Sequence, residues 1–393
     1  MTKTYKNLSL LILSFALLSL VGCCSKCGTI TLLAPAPNAV LTQHPAEMHE
    51  FLLLPDAARK DYFNDKEKRA VLYERHQSVP NEFRWEASEP LAEARLEFAL
   101  DEAFTTSAQE FVVSLDAKEQ KAMVCNFLAG KTIYWRVKGT NEAGKPFASP
   151  VGVFKTEDLL PRQITLPGVE NVRDVGGWKT ADGRRMRQGI IFRSAGFNLD
   201  SPDWQWDEKK RIDPMKSRIG ETVVKPEGID YLVNKVGIKT ELDLRWDGEV
   251  AVMKESPLGP KVSWIHISSY DYGRLFTPEG KAAIREDFKL FADKANYPIV
   301  FHCIAGADRT GSLAFILNGL LGVDEEELWR DWEVTAFQKE KIDFGHRTRF
   351  SKLVKVFDAF PGATIHEKIV AYVKSAGFTD ADIEKFRSLM LEP

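Results

Sequence analysis

The chain has 393 residues, 44% of them apolar and 28% charged, an ordinary globular composition that excludes disorder as its organising feature. A formal charge of -3 excludes the whole-chain basic field that would hold nucleic acid or an anionic surface, so any anion site must be local. Five cysteines, scattered along the chain, cannot make a disulfide framework, and the core must be held by packing.

In chain order, Lys3 and Lys6 precede an apolar run over residues 10–21, interrupted by Ser14 and Ser19 and ending in Gly22-Cys23. The run is shorter than the ~20 residues a helix needs to cross a bilayer, which argues for an export signal and against a permanent span. Leu20-Val21-Gly22-Cys23 resembles the bacterial lipobox, whose cysteine becomes the lipidated first residue after cleavage. That resemblance implies a lipoprotein signal peptide over 1–22, lipid attachment at Cys23 and a tether over 23–32. The protein would be exported and anchored to a bacterial membrane, facing the periplasm or the cell exterior. A plain signal peptide cut nearby is the alternative. Cys24 and Cys27 have metal-ligand spacing, but no second pair or histidine cluster accompanies them, so no metal is expected.

Residues 29–45, with Ala34-Pro35-Ala36-Pro37-Asn38, read as a linker entering a strand-rich module. Short strands are expected at Phe83-Arg84-Trp85, at 95–99, 132–138 and 151–156, with Ile133, Trp135 and Val137 sharing one face. The pattern resembles a fibronectin type III or related immunoglobulin-like β-sandwich over 33–157. The charged stretch 56–75 departs from it and reads as an inserted helix. No cluster of catalytic residue types occurs in this module.

From about 158 to 393, strand candidates alternate with amphipathic helices, the texture of an α/β domain. An insertion after Leu199 carries Trp204, Trp206 and the basic stretch 209–211, a solvated face or a lip beside a site. Thr277-Pro278-Glu279 opens a helix by cap and first-turn proline, with Ile284, Phe288 and Phe291 as its buried stripe.

Pro298-Ile299-Val300-Phe301 then suits a buried strand, and Arg309-Thr310-Gly311 starts a helix. Between them lies His302-Cys303-Ile304-Ala305-Gly306-Ala307-Asp308. A strand-loop-helix of this kind aims backbone N–H groups of Ile304, Ala305, Gly306, Ala307 and Asp308, and a helix N-terminus, at one spot, making an anion site. The same field favours a Cys303 thiolate, the working nucleophile. Arg309 can return its guanidinium to hold two phosphate oxygens, and the Thr310 hydroxyl can stabilise the cysteine as a leaving group. His302 in the strand points to the opposite face from Cys303 and tunes the loop.

His302-Cys303-x5-Arg309-Thr310 resembles the signature of the cysteine-dependent protein tyrosine phosphatase superfamily. Asn171 to Gly177, Ile191-Phe192-Arg193-Ser194, Leu242-Asp243-Leu244-Arg245 and Asp331 to Thr335 extend the likeness to the bacterial group that shares features with dual-specificity and lipid phosphatases. The expectation is a metal-free, cofactor-free phosphate monoester hydrolase working through a phosphocysteine, on a phosphorylated protein or a small phosphate ester. That group has a lysine before the loop aspartate where this chain has Ala307, which weakens a phosphoinositide or inositol polyphosphate reading. A catalytically weak anchored binding protein is a third reading, and intact Cys303, Asp308, Arg309 and Thr310 argue against it. The leaving oxygen needs a proton. Asp271, 32 residues before Cys303, and Asp308 inside the loop are the candidate acids. Arg173, Asp174 and Arg193 fit an outer pocket or a buried ion-pair network.

Overall fold

The computed structural model describes residues 28–74, 77–105, 113–115, 119–199, 221–337 and 345–393. The export run, Cys23 and the insertion carrying Trp204, Trp206 and 209–211 lie outside the described residues.

The N-terminal part comprises β1 (Gly28–Ala34), β2 (Val40–Leu41), α1 (Ala46–Leu53), α2 (Asp56–Asn64), α3 (Lys66–Glu74), β3 (Asn81–Ala87), β4 (Glu93–Ala99), β5 (Val113–Leu115), β6 (Lys121–Val124), β7 (Thr132–Thr140), β8 (Pro146–Ala148) and β9 (Gly152–Thr156). β1 begins inside the stretch read as tether and linker, because Ile30 turns inward between exposed Thr29 and Thr31 and pairs its strand with β3. One antiparallel group joins β1, β3 and β6; another joins β5, β4, β7 and β9, and β8 links the two by pairing with both β7 and β1. Phe83 of β3 meets Phe98 of β4, Trp135 of β7 and Phe154 of β9 at ring-centroid distances of 5.0, 4.9 and 5.4 Å. As the alternation requires, Ile133, Trp135 and Val137 are buried. The charged stretch forms two helices, α2 and α3, where one was expected. Asp65 breaks them, its Oδ1 accepting from the amides of Glu67 and Lys68.

The second part contains β10 (Arg173–Asp174), β11 (Ile191–Ser194), α4 (Pro226–Asp230), β12 (Thr240–Asp243), β13 (Ser263–His266), α5 (Pro278–Phe291), β14 (Ile299–His302), α6 (Asp308–Leu321), α7 (Glu325–Val334), α8 (Gly345–Val356), α9 (Ile365–Ser375) and α10 (Asp380–Met390). Its sheet runs β10-β11-β14-β12-β13, with β11, β14, β12 and β13 parallel. Ile299, Val300 and Phe301 of central β14 are fully buried, as a parallel strand covered on both faces must be. α5 is capped by Thr277, whose Oγ1 accepts from the Gly280 amide at 3.1 Å, and buries Ile284, Phe288 and Phe291.

The interior is continuous across the boundary near 157. One apolar cluster joins Phe83, Trp85, Leu96 and Trp135 to Ile164, Val172, Phe192 and Val300. Buried Arg162 donates to Phe127 O and Asn126 O on one side and to Asp174 Oδ2, 2.6 Å away, on the other. A second cluster seats Phe51 of α1 and Phe63 of α2 on Phe337, just beyond α7, with ring centroids 4.8 and 5.2 Å apart. Among the described residues, no helix is long and apolar enough to cross a membrane.

Candidate active site

Central strand β14 delivers Cys303 to the carboxyl end of the parallel sheet, and the chain turns through 303–307 directly into α6. The turn closes because Gly306 adopts φ +65° and a Cβ there would lie 2.4 Å from Ser194 O. Successive carbonyls of the loop are held from outside. Ile304 O accepts from the Gly196 amide at 3.0 Å, Ala305 O from Asn171 Nδ2 at 3.0 Å, and Gly306 O from Asn171 Nδ2 at 2.9 Å and Arg193 Nη2 at 2.8 Å. Carbonyls turned outward leave the intervening N–H groups to line the concavity, an anion-binding nest beside the α6 N-terminus.

Arg193 and Arg173 are themselves positioned by Asp331 of α7, which accepts from Arg193 Nη1 and Arg173 Nε, each at 2.7 Å. Burial pushes the Asp331 carboxyl up, but Arg173 and Arg193 outweigh it and hold it below its usual range. Burial, with Arg173 beside it, pulls Arg193 down to about 9 against the opposing pull of Asp331 and Cys303. Arg173 and Arg193 thus belong to a buried network behind the loop, while Asp174, equally buried, serves Arg162 and the amides of Gly176 and Gly189.

Cys303 is 3% exposed at the floor. Arg309 lies close enough to feel its charge. Its Nη1 and Nη2 donate to Glu249 Oε2 and Oε1 at 2.5 and 3.2 Å, and its guanidinium carbon lies 4.8 Å from the Trp246 ring centroid. This leaves the Nε–H edge for a bound anion. Burial alone would lower the Arg309 pKa; Cys303, Glu249 and Asp271 outweigh it and hold it above its ordinary value. His302, in the strand, lies away from the cleft between Glu241 Oε1 at 2.9 Å and Cys303 O at 3.2 Å. Thr310 Oγ1 is buried with no hydrogen-bond partner among the described residues.

The two candidate acids lie near each other, and Asp271 feels the charge of Arg309. Asp271 sits where the chain leaves β13 for the 3-10 turn Tyr272–Phe276, with Arg274 Nη2 3.3 Å from its Oδ1. Burial pushes its carboxyl above the usual range; Arg274 and Arg309 oppose this and nearby Asp308 adds to it. Asp308 accepts a short hydrogen bond from the Tyr272 hydroxyl and lies 3.6 Å from Arg349 of α8. Glu241, Asp243 and His302 are close enough to hold a metal ion. Their atoms are already engaged, however. Glu241 serves His302 and Ser256, and Asp243 grips Arg245 through both oxygens.

Sequence reading located the loop, both aspartates and the basic residues behind the loop. It missed Glu249, Trp246, Asn171's contacts to the loop carbonyls, Tyr272 and Arg349, which reach the site from elements 36 to 135 residues away in sequence. Asn171 lies in the motif over 171–177, and the short acidic turn after β12, Trp246-Asp247-Gly248-Glu249, is a local signal for two of the others.

A cysteine at the end of a central parallel strand, followed by an arginine in the first turn of the next helix, is the arrangement of the protein tyrosine phosphatase class. The model of the tyrosine phosphatase family matches residues 164–207 and 222–392, more than half of the chain, and the chain belongs to that family. A candidate tyrosine-protein phosphatase of Cupriavidus necator is 27% identical over 189 residues, covering 42% of this chain. The chain spans 60% of the length of that curated relative. Among solved structures, the core catalytic domain of the PP-IP phosphatase SIW14 from S. cerevisiae, in complex with citrate, matches over 43% of this chain and 84% of its own, at 14% identity and a TM-score of 0.26. The Siw14 catalytic core matches over 40% and 76%, at 13% identity and a TM-score of 0.25. A likeness of that extent defines neither a substrate nor a site.

Proposed function

We propose that the chain hydrolyses phosphate monoesters on proteins, phosphotyrosine above all, through a phosphocysteine on Cys303. The observation that carries this reading is the loop itself: outward-held carbonyls, Cys303 on the floor and Arg309 held near it by Glu249. The phosphate sits on the amides of Ile304, Ala305, Gly306, Ala307 and Asp308, and Arg309 takes two of its oxygens. Cys303 Sγ attacks phosphorus, the P–O ester bond breaks, and Asp271 gives its proton to the leaving oxygen. Water then attacks phosphorus, Asp271 takes its proton, and the S–P bond breaks with Thr310 donating to the departing sulfur.

Asp271 is the better acid because burial favours its protonated form, whereas Asp308 is committed to Tyr272 and Arg349. Ala307 in place of a second loop cation supports a singly phosphorylated group over a polyphosphorylated one. We read the strands before 157 as an immunoglobulin- or fibronectin III-like sandwich, supported by their antiparallel pairing and aromatic centre. The motif ending at Cys23 supports an exported, lipid-anchored protein; labelling with a radioactive fatty acid that persists in Cys23→Ala would exclude that anchor.

The catalytic test is turnover of the full chain on phosphotyrosine peptide, phosphoserine peptide and phosphoinositide vesicles. Activity highest on phosphotyrosine, abolished in Cys303→Ser and cut more in Asp271→Asn than in Asp308→Asn, is the expected result. Equal loss in the two aspartate variants overturns the assignment of the acid. Silence on all substrates overturns the reaction.

A further inference from the structure

Arg59 belongs to the N-terminal module, where Asp56 Oδ1 lies 3.8 Å from its Nη2, yet its side chain has no exposure and its shorter ion pairs are made with the second part of the chain. Its Nε donates to Glu333 Oε2 at 2.7 Å, and Glu333 is equally buried. Its Nη1 donates to Leu54 O at 2.7 Å and to Glu326 Oε1 at 3.3 Å, both glutamates being on α7. Adhesion here is already supplied by Phe51, Phe63 and Phe337. A buried ion pair adds little net adhesion, since desolvating both charges offsets their attraction, but in some proteins such a pair sets register.

The helix paired with Arg59 carries the groups that hold the phosphate loop. Glu333 and Asp331 are two residues apart on α7 and therefore face nearly opposite sides. Asp331 accepts from Arg173 and Arg193; Arg193 holds Gly306 O, and Arg173 donates to Asn171, which holds Ala305 O and Gly306 O. Trp332, between them, packs where a Cβ on Gly311 would come within 2.6 Å, so α7 also abuts the first turns of α6. A shift of α7 is passed to the loop carbonyls through one buried carboxylate and two arginines.

We propose that Arg59 is a positioning residue for the phosphate loop, acting through α7, so that the N-terminal module is part of the catalytic apparatus and not a detachable binding unit. The inference rests on the phosphatase reading for its catalytic readout, but the contacts exist whatever the substrate. Arg59 touches no reacting atom. Its effect is on how well the loop amides are aimed at an oxyanion.

The test uses the full chain with Arg59→Ala, Arg59→Lys and Glu333→Gln, the last keeping the bulk of the pair should Arg59→Ala fail to fold. Three quantities are measured in each: calorimetric affinity for inorganic tungstate, the pH dependence of Cys303 alkylation by iodoacetamide, and kcat and KM on phosphotyrosine peptide. Weakening of tungstate affinity by about two- to thirty-fold is expected in Arg59→Ala and Glu333→Gln, with partial recovery in Arg59→Lys. The Cys303 alkylation profile should change, and kcat should fall more than KM changes. Folded variants that melt earlier yet keep wild-type tungstate affinity and alkylation profile overturn the proposal, leaving Arg59 a structural anchor. If the wild type turns over no phosphate ester while tungstate affinity and alkylation respond as expected, the phosphatase reading fails and the coupling stands.

Discussion

At the scale of single residues the site depends on charges held in place by other charges. Arg309 is useful because Glu249, itself fully buried, fixes its fork while Trp246 covers one face. Glu249→Ala leaves the guanidinium free to swing. Loss of alignment of this kind lowers kcat by up to about a hundred-fold, whereas Glu249→Gln, which keeps a single acceptor, should lose much less; steady-state kinetics on phosphotyrosine peptide separate the two. Asp287 is a different kind of buried carboxyl. It sits on α5, accepts from the Ser269 hydroxyl at 3.1 Å and leaves Oδ1 unpartnered, and burial pushes its pKa up to about 8. Below the ordinary carboxyl range near 4 both folded and unfolded forms are protonated, so no penalty applies. As pH rises from there to about 8 only the unfolded form ionises, so this residue's contribution to stability falls with pH and then levels off. Thermal unfolding should therefore show Asp287→Asn gaining on the wild type between pH 4 and 8, and a gap independent of pH would refute the assignment.

At the scale of elements, α6 and α7 are the pair that matters. The phosphate loop ends in α6, and α7 lies against it where Gly311 gives Trp332 room. Gly311→Ala would place a methyl carbon 2.6 Å from the Trp332 ring, which is itself buried and cannot retreat. Overpacking of this kind costs about 1–3 kcal/mol, to be read from urea unfolding, and should also perturb the loop through neighbouring Asp331. Unchanged stability would mean that α7 shifts freely, contrary to its clamping by Arg59 and Arg173. The elements themselves were largely legible beforehand. β7 and β14 announce themselves by period and apolar run, and α5 by its cap. β1 was not legible, because its two inward positions lie beside a proline-rich stretch and acquire meaning only when β3 and β8 pair with it.

At the scale of the whole molecule the two parts share one interior. Cutting near residue 158 would expose Ile164, Val172 and Phe192 and strip Arg162 of Asn126 and Phe127. The second part expressed alone is expected to aggregate or to bind a hydrophobic dye, while the chain from Gly28 onward should unfold in a single calorimetric transition. Two well-separated transitions would show that the modules are thermodynamically independent after all.

What the sequence determined unaided is the part of the chemistry that is contiguous. Cys303 to Thr310 lie within a single strand-loop-helix, a local geometry suited to an anion. Asp271 could be put forward as a candidate acid, beside Asp308, from its place after a strand and ahead of a capped helix. Tertiary structure alone decided what holds that site in shape. Glu249 on Arg309, Asn171 and Arg193 on the loop carbonyls, and Arg59 on Glu333 are separated in sequence by 60, 134, 113 and 274 residues. Motif segments contain some of these partners, Asn171 and Arg193 among them, but no periodicity or motif says which group each one meets. Each pair exists because folding brings two buried, mutually dependent polar groups together, and the free energy of leaving either one unpaired is what keeps them there.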